Sequence, residues 1–266
     1  MIDPGDRLSL AEHGVVTRDL PQPPPLRVTP RTALFLDFDG TLVEIADHPD
    51  DVVVARALPM LIDALSRRLE GRLAIVSGRS LAALDALLGP VKVAMAGSHG
   101  GEFRPSGDDG VLALADPLPP DVVTELARFA KANGGLLVEP KPFSVAVHYR
   151  RHRHALEGLL TCAGEIATRR GLTVKHGKQV IELAMPGSDK GNAVARFMAL
   201  AGFSGSVPLF LGDDMTDEDA FHAVAASGGD GVLVGAMRPT AARWRLEGVA
   251  AVHEWLASAL EATPDA

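Results

Sequence analysis

Short apolar runs alternate with helix-period segments along most of the chain. ALFLD (33–37) is apolar until its last residue and is followed by a Gly-Thr turn. That pattern predicts a buried parallel strand whose carboxyl end meets a site. Leu58, Leu61, Ile62, Leu65 and Leu69 then recur at helical spacing within 57–70. LAIVS (73–77) predicts a second buried strand, Leu81, Leu84 and Leu88 a second helix, and VKVAMAG (91–97) a third strand. This alternation predicts right-handed crossovers and a parallel sheet.

The rhythm changes after Gly101. Pro and Gly cluster in RPSGDDG, and a helix carrying Val122, Leu126 and Phe129 follows. LLVEP and SVAVHYR come next, the latter alternating with period two as a sheet with unlike faces does. A helix over 152–170 leads to LTVKHG and KQVIEL, which also have strand character. The first rhythm resumes with a helix from Lys190, PLFLG (208–212), a helix from Glu218, GVLVG (231–235) and helical segments through Leu260. The predicted fold is α/β, a doubly wound and mostly parallel sheet core at 31–104 and 183–262. An α+β cap at 105–182 interrupts it. Residues 1–30 lack a sustained period and end in PQPPPLRVTP, so they are expected to form a Pro-rich, free N-terminal tail.

Composition narrows the function classes. The 266 residues are 47% apolar and 23% charged, a globular balance. Thirty-four acids against 26 Lys and Arg give a net charge of −8, and aromatics are 5%. Neither the basic footprint nor the stacking platforms of a nucleic-acid binder are present. No apolar run approaches the ~20 residues needed to cross a bilayer, and MIDPGDRLSL lacks the basic-then-apolar order of a secretory signal. A cytoplasmic location with neither nucleic-acid nor membrane partner is expected. The sole cysteine, Cys162, excludes an intramolecular disulfide and lies in the apolar run LLTCAG, which predicts a buried structural thiol.

The chemistry concentrates at predicted strand exits. Asp37-Phe38-Asp39-Gly40-Thr41 puts two carboxylates beside one turn, suited to a nucleophile and a general acid/base. Ser77 offers a hydroxyl to a phosphate oxygen, and Lys190 opens a helix where its ammonium and the helix N-terminus both favour negative charge. Asp213 and Asp214 in GDDMTDED form a second acidic cluster, repulsive beside Asp37 unless a hard divalent cation such as Mg²⁺ joins them. A solvated loop that caps the next helix is the alternative reading of GDDMTDED, and Asp217 or Glu218 suits that role.

DFDGT, the Ser of IVSGR, the Lys of DKGN and GDDMTDE together resemble the four motifs of the haloacid dehalogenase superfamily, in order. The resemblance implies that Asp37 attacks phosphorus and forms an aspartyl phosphate, while Asp39 protonates the leaving oxygen and then activates water. It implies Mg²⁺ bound by the Asp37 carboxylate, the Asp39 main-chain carbonyl and Asp213, with Asp214 in support. Ser77 and Lys190 would hold the phosphoryl oxygens, and Thr41 joins the substrate-binding set.

Within the predicted cap and its border, the polar signals are GSHGGEFR (97–104), VEPKP (138–142), HYR (148–150) and GKQVIEL (177–183). Such a mixture of Glu, Lys and Arg suits a hydroxyl-rich sugar. These stretches resemble the trehalose-6-phosphate phosphatases over essentially all of 31–260. The resemblance implies that Glu139, Lys141, Arg150, Lys178 and Glu182 contact a disaccharide, with His99 at the core–cap junction. The chain departs from that family at Ala184-Met185, where many relatives carry a basic residue. The implied protein is a cytoplasmic, monomeric, Mg²⁺-dependent enzyme hydrolysing trehalose 6-phosphate to trehalose and phosphate, the last step of trehalose biosynthesis. Alternatives are a capped phosphatase for sucrose phosphate or a mannosyl phosphate, and a non-enzymatic phospho-acceptor of the receiver type.

Overall fold

The computed structural model describes residues 19–114, 116–177, 179–187 and 189–261. Its first elements are β1 (Thr32–Leu36), α1 (Leu58–Arg68), β2 (Leu73–Val76), α2 (Leu81–Leu88), β3 (Ala94–Gly97), β4 (Glu102–Arg104) and β5 (Leu112–Ala113). Then come α3 (Pro120–Ala132), β6 (Leu137–Pro140), β7 (Ser144–His148), α4 (Leu156–Arg170), β8 (Thr173–Gly177) and β9 (Val180–Ala184). The chain finishes with α5 (Lys190–Met198), β10 (Val207–Gly212), α6 (Glu218–Ala226), β11 (Asp230–Val234), β12 (Trp244–Leu246) and α7 (Val249–Glu261).

The larger sheet runs β12-β11-β10-β1-β2-β3-β4-β5. Its strands are parallel from β12 to β3, and β4 and β5 add antiparallel pairings at one edge. β1 is buried on both faces, which is why it reads as a continuous apolar run. Leu34 and Leu36 enter one apolar cluster with α1, α2 and α7. Ala33 and Phe35 enter the other with α5 and α6. Helices thus cover both faces, as the alternation of strands and helices predicts. β4, β5 and β12 were not predicted, since two or three residues are too few to show a period. The third expected strand shortens to Ala94–Gly97, the turn at Gly89-Pro90 preceding it.

The second sheet is wholly antiparallel, in the order β6-β7-β9-β8. Its apolar cluster draws only on residues between Leu118 and Met185, including Val122 and Leu126 of α3 and Leu159 and Ile166 of α4. The expected boundaries at 104/105 and 182/183 both move. β5 extends the larger sheet to Ala113, and β9 carries the smaller one to Ala184. At the position where the chain departs from the family pattern, Ala184 closes β9 and Met185 packs on the second sheet's cluster.

Residues 1–18 of the expected tail lie outside the described residues, but 19–30 are not free. Leu26 is buried in the α1/α7 cluster. Trp255 Nε1 donates to the Pro24 carbonyl at 2.9 Å, and Arg245 grips Asp19 through two bonds of 2.6 Å. The prolines that suggested a tail also pre-extend the segment, so laying it along the core costs less conformational entropy than ordering an ordinary chain. Among the described residues no helix is long and apolar enough to cross a membrane. Cys162 is half-buried rather than buried, and burial with Glu165 and Glu125 nearby pushes its thiol pKa up, so it is not an activated nucleophile.

Candidate active site

The carboxyl ends of β1, β2 and β10 and the start of α5 converge on one buried cluster. Asp37, Ser77, Lys190, Asp213 and Asp217 are all buried. Lys190 Nζ donates to Asp37 Oδ1 and to Asp217 Oδ1, each at 2.6 Å. Two glycines make the cluster possible. A Cβ at Gly40, whose φ is +81°, would stand 2.3 Å from Asp213 Oδ2, and one at Gly212 would stand 2.3 Å from the Asp217 carboxyl carbon. Any larger residue would push an acid out of the cluster.

Burial sets the electrostatics. It raises the Asp37 pKa well above the ordinary carboxylate value; Lys190 opposes the shift, while Asp217 and Asp213 add to it. Burial by itself would lower the Lys190 pKa, but Asp217 and Asp37 outweigh it and hold the ammonium protonated far into the alkaline range. Lys190 thus bonds two of three neighbouring buried carboxylates, Asp37 and Asp217. Oxygens of Asp37, Asp213 and Asp217 lie within 4.8 Å of one another. An all-oxygen donor set of carboxylates fits a hard divalent cation such as Mg²⁺.

Asp214 and Asp217 share a capping box, the part expected of Asp217, and Asp217 joins the carboxylate trio as well. Asp214 Oδ1 accepts from the Met215 amide at 2.7 Å, capping the 3-10 turn Met215–Asp217. Asp217 Oδ2 accepts from the Asp214 amide at 2.8 Å, leaving Oδ1 for Lys190. Asp214 therefore takes a capping part, and Asp217 stands in the carboxylate trio where Asp214 was expected. No periodicity signals this, because Asp214 is extended and the turn begins only at Met215. Arg238 reinforces the loop, donating to the Asp214 carbonyl at 2.6 Å and pairing with Glu218.

Above this cluster lies a cavity partly open to solvent. Asp37, Asp39, Ser77, His99, Glu139, Lys141, Arg150, Glu182, Lys190, Asp213 and Asp214 all line it. Thr41 does not; it is fully buried and its hydroxyl has no partner. Lys178 lies outside the described residues. Two lining cations were not assigned from the sequence, Arg79 and Lys175. Lys175 pairs in register with Glu182, a relation that strand parity alone does not reveal.

The second sheet reaches the first through polar contacts. His99 Nε2 lies 2.6 Å from Glu182 Oε2, while Glu182 Oε1 accepts from Ser144 Oγ at 2.5 Å and lies 3.5 Å from Lys141 Nζ. Lys141 Nζ also donates to the Gly78 carbonyl at 3.0 Å, and Arg150 donates to the Ala46 carbonyl at 2.9 Å and to Asp47. Glu139 pairs with His148 at 2.9 Å. Ser98 and His99 both adopt left-handed backbone, φ 49° and 54°, at a cost of about 1–2 kcal/mol each. Amide bonds from Ser98 to the Arg79 carbonyl and from His99 to the Ser77 carbonyl hold that turn. Glu102, three residues on, ties it to α2 by accepting from Ser98 Oγ and the Leu81 amide.

Burial lowers the His99 pKa, and its Nδ1 is buried without a partner, so the neutral ring with its proton on Nε2 is the form that fits. Burial would raise the Glu182 pKa, but the Lys141 charge and the bonds from His99 and Ser144 hold it well below 4.5. A carboxyl depressed on folding contributes stability above its unfolded pKa and loses it as pH falls through the folded value. The difference in Tm between the wild type and Glu182→Gln is therefore expected to hold between pH 7 and 8 and to shrink below pH 4.5. A difference that stays constant down to pH 3 would contradict the depressed carboxyl.

Comparison with known proteins extends this picture. Residues 35–250 match the model of the trehalose-phosphatase family. The trehalose-6-phosphate phosphatase of Escherichia coli strain K12 is 39% identical over 238 residues, spanning 87% of this chain and 89% of that one. A probable trehalose-phosphate phosphatase of Sinorhizobium fredii is 38% identical over 214 residues, spanning 76% and 77%. Among solved structures, the C-terminal domain of a Candida albicans trehalose-6-phosphate phosphatase superposes with a TM-score of 0.78 at 24% identity, over 88% of this chain and 93% of that one. The sucrose-phosphatase of Synechocystis shares the fold at 18% identity and a TM-score of 0.57, over 89% of this chain and 99% of that one.

Proposed function

The chain belongs to the trehalose-phosphatase family, and from that footing we propose how its residues hydrolyse trehalose 6-phosphate to trehalose and phosphate. The observation that carries the reading is Asp37, buried at the exit of β1 and 2.6 Å from Lys190, in the same cavity that receives Glu139, Lys141 and Arg150 from the second sheet. We take residues 19–114 and 189–261 as the catalytic core and 118–185 as the cap.

Asp37 attacks phosphorus in line, forming an oxygen–phosphorus bond as the bond to the sugar oxygen breaks. Asp39 gives its proton to that departing oxygen. It then takes a proton from water, which attacks the phosphorus of the aspartyl phosphate and returns Asp37 as a carboxylate. Ser77 and Lys190 bind the phosphoryl oxygens, and Lys190 opposes the rise that burial gives the Asp37 pKa. Mg²⁺, held by Asp37, Asp213, Asp217 and the Asp39 carbonyl, would neutralise the phosphoryl charge when bound. The cap supplies the sugar wall of the cavity through Glu139, Lys141 and Arg150, with Glu182 and His99 joining it to the core. Phosphoryl transfer depends on alignment and charge neutralisation, which a buried, enclosed cluster provides.

The test is phosphate release from a panel of trehalose 6-phosphate, sucrose 6-phosphate, a mannosyl phosphate and 4-nitrophenyl phosphate, with Mg²⁺ and with a chelator. Trehalose 6-phosphate is expected to lead, and the chelator to abolish turnover. A preference for sucrose 6-phosphate, or turnover that survives the chelator, would reject the assignment. Glu182→Ala added to the panel should lose far more with the sugar phosphate than with 4-nitrophenyl phosphate.

A further inference from the structure

Arg79 takes no part in the chemistry above, yet it is fixed from several directions. Its amide donates to Ser77 Oγ at 3.1 Å, and its carbonyl accepts from the Ser98 amide at 2.7 Å. Its guanidinium donates through Nε to Asp39 Oδ2 at 2.7 Å and through Nη2 to Asp39 Oδ1 at 2.8 Å. The remaining nitrogen, Nη1, donates to the Pro49 carbonyl at 3.1 Å, and the group lies 5.8 Å from the centroid of the Phe38 ring. The Arg79 side chain is 13% exposed, whereas the carboxylate it grips is 35% exposed at the cavity wall.

We propose that Arg79 is a positioning residue for Asp39, holding its carboxylate at the cavity wall where the proton is given and taken back. The inference rests on the reading of Asp39 as the proton carrier. Two parallel bonds occupy one lone-pair direction on each oxygen and leave the other free for the departing sugar oxygen or for water. They also stop rotation of a carboxylate that is otherwise one-third solvent-facing. Proton transfer needs the carboxyl within hydrogen-bond reach of its partner, and a displacement of 1 Å costs on the order of 100-fold in rate. An ammonium cannot replace the fork, since it is a point charge that fixes one oxygen and leaves the plane free to turn. The residues are 40 positions apart, and the grip exists because β1 and β2 are neighbours in the sheet.

The experiment compares kcat and KM for trehalose 6-phosphate, at saturating Mg²⁺, in Arg79→Met, Arg79→Lys, Asp39→Asn and the Arg79→Met/Asp39→Asn double variant, with Tm measured for each. Arg79→Met is expected to lose about 100-fold in kcat with KM within about threefold of wild type. Arg79→Lys should recover only part of the loss, and Arg79→Ala should regain turnover on addition of guanidinium at unchanged Tm. In the Asp39→Asn background, removing Arg79 should cost nothing further, because its effect runs through Asp39. If Arg79→Met destabilises the fold, Arg79→Lys and guanidinium rescue carry the same comparison. A raised KM at wild-type kcat would make Arg79 a substrate-binding group and overturn the proposal. So would unchanged kinetics, or losses that add in the double variant. Retained turnover in Asp39→Asn would reject the parent reading itself, whereas an inactive Asp39→Asn beside a fully active Arg79→Met would reject only the role of Arg79.

Discussion

Asp37→Asn is expected to lower the turnover of trehalose 6-phosphate by about 10⁴-fold or more, as loss of a covalent nucleophile does, while the protein keeps its fold. The substitution hardly changes shape, so the apolar clusters on both faces of β1 stay packed. It removes an oxygen nucleophile and leaves an amide whose oxygen carries no full charge. Its effect on stability is a balance of opposing terms. Burial and the neighbouring Asp217 and Asp213 disfavour the Asp37 carboxylate, so neutralising it brings relief. Lys190 loses one of its two counter-charges but keeps Asp217 at 2.6 Å. A Tm within about 5 °C of wild type is therefore expected, roughly 1–2 kcal/mol for a chain of this size. The checks are steady-state phosphate release, thermal unfolding, and acid-quenched recovery of phosphoprotein, which the variant should fail to form. Turnover above about 1% of wild type would reject Asp37 as nucleophile, because no other group described at the site would account for that rate.

Most of the buried cluster is legible in the sequence, and the reason is geometric. In a parallel sheet, strands that are apolar on both faces end at one edge, so an acid or hydroxyl directly after such a run marks that edge. Asp37, Ser77 and Asp213 all follow apolar runs, and Lys190 opens a helix. What escaped depended on relations that no run or period encodes. Glu102 stands in a family-like motif but ties a turn to α2 rather than facing the cavity. Lys175 faces the cavity because β8 pairs with β9 in one register out of several. Arg79 lies two residues beyond Ser77, but its partner Asp39 lies in the turn after the neighbouring strand β1. The proline stretch misled in the opposite direction, since the same rigidity that suggests a free tail suits a strap over α7. The cap boundaries slipped because β5 is two residues long and β9 ends past the polar motif.

Asp217 is the sharpest case of this kind, and its substitution is expected to damage both turnover and folding. Asp217 is fully buried, and each of its oxygens accepts a bond, from Lys190 Nζ and from the Asp214 amide. In Asp217→Asn one of those acceptors becomes an NH₂ group facing another donor, whichever way the amide is turned. Lys190 then keeps Asp37 as its bonded counter-charge, deep in the protein. Breaking a buried ion pair costs about 3–5 kcal/mol, which for a chain of this length lowers Tm by roughly 6–20 °C. The carboxylate trio also loses one charge, so Mg²⁺ affinity measured by titration calorimetry should fall alongside kcat, by about 10-fold or more. Asp214→Asn is the comparison that gives the result meaning. The Asp214 side chain caps a 3-10 turn at the edge of the loop, and Asn is an equally good cap. Its Tm and Mg²⁺ affinity should therefore stay near wild type. The superfamily resemblance instead puts Asp214 in support of the metal, which makes the opposite ranking. Equal losses in the two variants, or a larger loss in Asp214→Asn, would return Asp214 to the cation and remove Asp217 from it. The geometry favours Asp217 because its oxygens lie beside those of Asp37 and Asp213 and one of them accepts from Lys190, while an Asp214 oxygen is taken by the Met215 amide.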